Sequence, residues 1–169
     1  MAKKISLREF QEHLAARLAG ADQRSTAGLL GIQAGTDHWL LDLSDSGEIV
    51  PLTPLTAVPL TKPWFAGIAN IRGKLYSVVD FSAFQGKEAT PQNSSARLLL
   101  VGTRHGSNAA LLVTRMLGLR SVDVLTPVPD DPGAPGWACE SYTDDHQQHW
   151  KKLNVRELLD DNDFMNIGA

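Results

Sequence analysis

"GIANIRGKLYSVVDF", residues 67–81, sets two apolar runs on either side of a polar tip. Ile68 and Ile71 lead in, and Leu75, Val78, Val79 and Phe81 lead out. Gly73 marks a turn, because glycine takes a positive φ without steric cost. The stretch predicts a β-hairpin over 64–80 whose tip carries the guanidinium of Arg72, flanked by Lys74. Asn70 is placed to hydrogen-bond backbone near the turn, as asparagine commonly does. Arg72 is then either a solvated tip charge or a fork of donors waiting for a carboxylate.

On the N-terminal side of this hairpin the chain reads as further short strands. "AGLLGIQAG" (27–35) and "HWLLDL" (38–43) flank a turn at Gly35, Thr36 and Asp37. "SDSG" (44–47) is a second turn, and residues 48–53 form a strand that Pro51 pushes to an edge or a bulge. Before all of these, residues 6–19 read as an amphipathic helix. Ser6 and Glu9 give a capping box, and Leu7, Phe10, Leu14 and Leu18 make one apolar stripe. That helix either packs on its own domain or docks into a partner's groove.

On the C-terminal side, residues 85–95 are polar and turn-rich and predict a mobile loop. Residues 96–103 and 109–119, around a turn at 104–108, repeat the pattern of the first hairpin, so two similar β units are expected. Another strand is expected over 120–128, a proline-rich loop over 127–136, and short strands in "WACESYT" and "HQQHWKKLN". Asn154 caps a closing helix over 154–161, with Val155, Leu158 and Leu159 on its apolar face. Many short strands and few helices point to small barrels.

The 169 residues suit one domain or two very small ones, and 43% hydrophobic with 21% charged residues is ordinary for a folded soluble chain. A net charge of −3 argues against a nucleic-acid partner. Cys139 is the single cysteine, so no intrachain disulfide or cysteine-built zinc site is available, which fits a reducing cytoplasm. The N-terminus has no apolar core of a secretory signal, and the greasy run 49–61 is broken by Pro51, Pro54 and Pro59, so no membrane insertion is expected.

Catalytic signatures are sparse. The glycines of "GLLGIQAG" do not make a dinucleotide fingerprint, and Lys87 is followed by Glu88 rather than by Ser or Thr. Cys139 reads as a small thiol packed in the fold. His146 and His149, with Asp144 and Asp145, offer metal-ligating chemistry. On a strand over 146–153 the two imidazoles would face opposite ways, so no metal or other cofactor is expected. The acids Glu157, Asp160, Asp161 and Asp163 read as a solvated face.

At residues 67–80 the sequence closely resembles the central motif of CheW-like domains, Gly-x-x-Asn-x-Arg-Gly followed by an apolar strand ending in Asp. Gly67, Asn70, Arg72, Gly73 and Asp80 occupy the motif positions. "WLLDLSDSGEIV" is similar to the family's first inner strand and turn, "RLLLVGTRHGSNAALLVTRMLGL" to its second half, and "NVRELL" to its closing helix. Where the family usually reads Val-Asp-x-Val, this chain has "VTRMLGL". The likeness runs over about residues 27–160.

The resemblance implies a mainly β fold of two five-stranded SH3-like barrels. The expected organisation is a helical extension at 1–24, one CheW-like domain at 25–160 and a tail at 161–169. It implies no enzymatic activity and no cofactor. Its partners would be the regulatory domain of a CheA-type histidine kinase and the cytoplasmic tip of a methyl-accepting chemoreceptor, with recruitment from the cytoplasm to receptor arrays. Arg72, Asn70 and Lys74 are the implied receptor-binding residues, and Leu43, Ser46, Glu48, Ile49 and Val50 the implied kinase-binding residues. Gly67, Gly73 and Asp80 are implied to be structural. The family usually has an apolar residue near Ser46, so that interface is expected to be shifted or weakened. The N-terminal helix and divergent second half look more like the PilI-type branch of pilus-driven twitching than the flagellar couplers, which are the alternative. A metal protein or small enzyme at His146 and His149, and a kinase decoy that recruits no receptor, are the other readings.

Overall fold

A computed structural model of the chain describes residues 28–101, 108–129, 132–138 and 140–169, together with Arg8 and Gln11. The helix expected over 6–19 lies outside the described residues apart from Arg8 and Gln11, which are helical. So do Cys139 and most of the turn at 104–108. In chain order the strands are β1 (Gly28–Ala34), β2 (Asp37–Asp42), β3 (Ser46–Pro51), β4 (Leu55–Thr56), β5 (Phe65–Ile71), β6 (Lys74–Asp80), β7 (Arg97–Val101), β8 (Ala109–Val113), β9 (Arg115–Ser121), β10 (Thr126–Val128), β11 (Glu140–Thr143) and β12 (His149–Lys152). Short helices α1 (Phe81–Phe84), α2 (Val155–Asp160) and α3 (Asn162–Met165) punctuate them.

The strands divide into two mixed sheets, in the orders β10-β11-β12-β2-β1-β9 and β3-β7-β8-β6-β5-β4. Each counts six strands against the five expected, and the excess is short: a three-residue β10 at an edge of the first and a two-residue β4 at an edge of the second.

Alternation explains how the sheets pack. In β1 and β2, Leu30, Ile32, Trp39 and Leu41 face a core shared with Val79, Leu99, Leu111 and Val113 of the second sheet. The intervening residues Leu29 and Leu40 join Trp150 and Leu125 in a separate cluster inside the first sheet. Likewise Tyr76, Val78, Leu98, Leu100 and Leu112 form a cluster inside the second. Both edges of the second sheet contribute to its own cluster through Val50 and Leu55, and in the first Leu117 of the β9 edge meets Leu125, the residue just before β10. A flat sheet cannot bring its two edges to one cluster, so each curls into a barrel-like unit. Strands with both faces covered must be apolar throughout, and β8, AALLV, is buried at every position.

Three expectations are corrected here. Residues 109–119 are not one strand. Thr114 breaks the run, so β8 belongs to the second sheet and β9 to the first. The junction is tied across the units, with Thr114 N donating to Gln33 O at 2.8 Å and Gly35 N to Thr114 Oγ1 at 2.9 Å. Residues 120–128 are likewise split, by a 3₁₀ turn over Val122–Val124. The turn-rich segment 85–95 is anchored at its middle. Thr90 is buried, and its N and Oγ1 donate to Asp80 Oδ2 and Oδ1 at 2.8 and 2.7 Å. Composition reads as mobility only where side chains have no buried partner, and here a buried carboxylate supplies one. Thr90→Val keeps the shape and removes one of those bonds. It is expected to lower stability by about 1 kcal/mol, read as a fall of ~3 °C in the melting temperature.

The C-terminal segment is also integrated. Phe164 of α3 is buried in the shared core, and Lys62 N and Ala169 N bond Ile167 O and Leu60 O at 2.8 and 2.9 Å.

Candidate partner-binding surface

The β5–β6 hairpin closes with a two-residue turn, since Ile71 pairs with Lys74. Arg72 and Gly73 have φ of +53° and +84°, the doubly left-handed geometry whose twist matches paired strands. Asn70 Oδ1 accepts from Gly73 N at 2.9 Å and holds the turn from beneath. Lys74 Nζ lies 5.7 Å from the Tyr76 ring centroid, over a buried aromatic face. Leu75, in the apolar run leading out, is 59% exposed beside the tip. The period-2 alternation of β6 was its signal, because Tyr76 and Val78 take the inward positions.

Arg72 has an in-chain partner: its guanidinium donates to the carboxylate of Glu48, 24 residues earlier. Glu48 sits where the β3–β7 register slips between Ser46 and Ile49, and the irregularity turns this exposed residue toward the hairpin tip. The hydrogen bond and charge of Glu48 raise the guanidinium's already high pKa. Both side chains keep much of their solvent exposure. The pair therefore adds little stability and mainly fixes where one cation and one anion stand.

The five residues implied to bind a kinase lie together along the β2–β3 turn and β3, but they face different ways. Leu43 and Ile49 pack against the shared core and Val50 against the second unit's cluster. Ser46 Oγ donates to Leu43 O at 3.0 Å, so its hydroxyl serves its own turn. Glu48 is the exposed side chain of the set, and β3 is an edge strand whose outer backbone pairs with no other strand among the described residues. Gly67 and Asp80 carry the scaffold. Gly67, at φ +135°, lies where a Cβ would meet Thr56 O at 2.5 Å. Asp80 is buried, caps α1 through Ala83 N and anchors Thr90.

The histidines do not assemble a comparable site. The expected strand over 146–153 begins only at His149, and His146 lies in the β11–β12 turn. Asp144 organises that turn, accepting from His146 N and Gln148 N at 2.9 and 2.8 Å and from Trp150 Nε1 at 3.0 Å. Among the described residues, no three His, Asp or Glu side chains converge as metal ligands would. The Trp150 bond, followed by the two backbone bonds, holds the Asp144 pKa below its ordinary 3.8. A depressed carboxylate stabilises the fold above that ordinary value and loses its contribution as pH falls through the lower folded-state value. Asp144→Asn is expected to melt ~3 °C below wild type at pH 7, with the gap closing below pH 3.8, in thermal scans across pH.

The model for the CheW-like domain matches residues 28–161, which takes in both sheets, the Arg72 hairpin and α2. The chain belongs to the CheW-like domain family. Among curated relatives, this CheW-like chain is 29% identical over 97 residues to Protein PilI of Pseudomonas aeruginosa, covering 57% of this chain and 54% of that protein. The match thus spans about half the length of PilI. It is 26% identical over 126 residues to Chemotaxis protein CheW of Helicobacter pylori, covering 72% and 74%. Its fold is similar to that of the scaffolding protein TtCheW from Thermoanaerobacter tengcongensis, with a TM-score of 0.67 at 20% identity over 82% of this chain and 95% of that one. No helix among the described residues is long and apolar enough to cross a membrane.

Proposed function

We propose that this CheW-like chain is a non-enzymatic adaptor that couples the cytoplasmic tip of a methyl-accepting chemoreceptor to the regulatory domain of a CheA-type histidine kinase. The observation that carries this reading is the Glu48–Arg72 pair. It joins the β3 edge, expected to meet the kinase, to the β5–β6 tip, expected to meet the receptor. Two neighbouring recognition elements on one rigid unit hold two partners in register, and binding at one then changes what the other experiences. The tip offers Arg72 and Lys74 to an acidic helical surface, with Leu75 as an adjacent apolar contact. The β3 edge offers backbone hydrogen bonds to a strand of the kinase domain.

The likeness to PilI supports reading the adaptor as one of pilus-driven twitching. A coupler of chemotaxis proper is the second reading, and the longer match to the Helicobacter CheW favours it. The deciding experiment is co-sedimentation of the full chain with receptor-containing membranes and the kinase from the same cell, followed by deletion of its gene. Ternary sedimentation with loss of twitching supports the adaptor of pilus motility. Ternary sedimentation with loss of swimming bias supports the second reading. Failure to bind any such kinase overturns both.

A further inference from the structure

β9 is the outer strand of the first sheet, and no strand among the described residues pairs with its free side. Met116 and Leu119 are the register partners of Ile32 and Leu30. Paired residues of an antiparallel ladder point to the same face of the sheet. Ile32 and Leu30 are 1% and 3% exposed in the shared core, whereas Met116 and Leu119 are 48% and 68% exposed. The core-facing side of this sheet therefore runs on past the atoms that cover it. The 3₁₀ turn after β9 adds Val122 and Val124, 41% and 43% exposed. An apolar surface of this kind along an open edge invites association unless something lies over it.

The chain's own N-terminal segment is placed to cover it. Gly28, where β1 begins, pairs with Ser121, the last residue of β9. Residues 1–27 thus reach the fold at one end of the open surface. The sequence sets Leu7, Phe10, Leu14 and Leu18 on one stripe of a helix over 6–19. Arg8 and Gln11, which lie off that stripe, are helical and exposed. Such a helix is ~21 Å long, and the seven residues of β9 span ~23 Å. Residues 20–27 reach up to ~28 Å, enough to fold the helix back along the strand. We propose that residues 6–19 pack as an amphipathic helix on Met116, Leu119, Val122 and Val124, their apolar stripe completing the core face of the first sheet. The packed helix also shields the β9 edge from strand addition by a second copy. This surface belongs to the first sheet, whereas Glu48 and Arg72 belong to the second, so the inference does not rest on the adaptor reading.

Hydrogen exchange of the full-length protein, read by mass spectrometry on peptides covering residues 6–19, tests this. An isolated helix of this length is marginal in water, so slow exchange there requires packing. Exchange over 6–19 is expected to be ~10-fold or more slower than in an unstructured chain, at a rate independent of protein concentration. Leu119→Glu is expected to abolish that protection. Leu119 is 68% exposed, and unchanged protection of β1 and β8 shows that the fold is intact. Val122→Glu serves in its place if β1 is disturbed. Leu14→Glu, the reciprocal change, keeps helix propensity and is expected to have the same effect. No protection over 6–19 in the free protein, including protection that arises only on adding the kinase or the receptor, overturns the proposal. Protection that rises with protein concentration assigns the surface to a second copy and overturns it too. So does protection that survives the substitution on either side.

Discussion

Gly67→Val is expected to cost on the order of 4 kcal/mol, the largest loss from a single substitution at the hairpin. Two effects add. The backbone at φ +135° is one that L side chains rarely adopt, and a Cβ there would stand 2.5 Å from Thr56 O and 3.0 Å from Thr56 C. Those atoms are backbone in β4, so no side chain can swing away, and β4 must leave β5. Because β4 carries Leu55 against the second unit's cluster, the damage passes from one backbone clash into a core. A fall of 10 °C or more in melting temperature is expected, from about 3 °C per kcal/mol for a chain of this size. Gly73→Ala is the control. Gly73 also has positive φ, +84°, but nothing lies within 4 Å of its added Cβ. It is expected to lose only about 1 kcal/mol. Equal losses at the two glycines would refute the role assigned to the β4 contact.

The second large effect concerns binding. Arg72→Glu sets two carboxylates at the tip, its own and that of Glu48, facing an acidic partner. Receptor recruitment is expected to drop about 100-fold, since like charges facing across an interface cost several kcal/mol. The melting temperature is expected to stay close to that of the wild type, because the Glu48–Arg72 pair is exposed. The charge-swapped Glu48→Arg/Arg72→Glu protein separates two roles for the arginine. It restores an ion pair of opposite sense and leaves the tip facing the partner with a carboxylate. Recruitment is expected to stay lost, as a partner's carboxylate needs the cation at position 72 itself. Recovery in the double variant would mean that Arg72 acts only by holding Glu48.

Much of this architecture follows from local pattern. Alternating and continuous apolar runs, bounded by glycine, proline and asparagine, are read directly as β1, β2, β5, β6 and α2, because strand period and caps are properties of a few adjacent residues. The motif Gly67, Asn70, Arg72, Gly73 and Asp80 named the family for the same reason. The turn at Arg72–Gly73 and its Asn70 brace span four residues and need no tertiary information.

What sequence did not show depends on residues far apart along the chain. Thr114 divides a uniform apolar run because its neighbours Gln33 and Gly35 lie about 80 residues away. Thr90 anchors a polar segment because Asp80 is buried beside it. Gly67 and Gly73 look alike in sequence, and only the passage of β4 makes one irreplaceable and leaves the other open. The partner of Arg72 was among the residues named, but on a different expected face. The sequence by itself determined the strands, the hairpin tip and the family, since these follow from residue type and spacing. Only the tertiary structure decided that Glu48 meets Arg72, and that Met116 and Leu119 stand beside Ile32 and Leu30 at an open sheet edge. Curling two sheets against one core selects such neighbours, and no local rule encodes that selection.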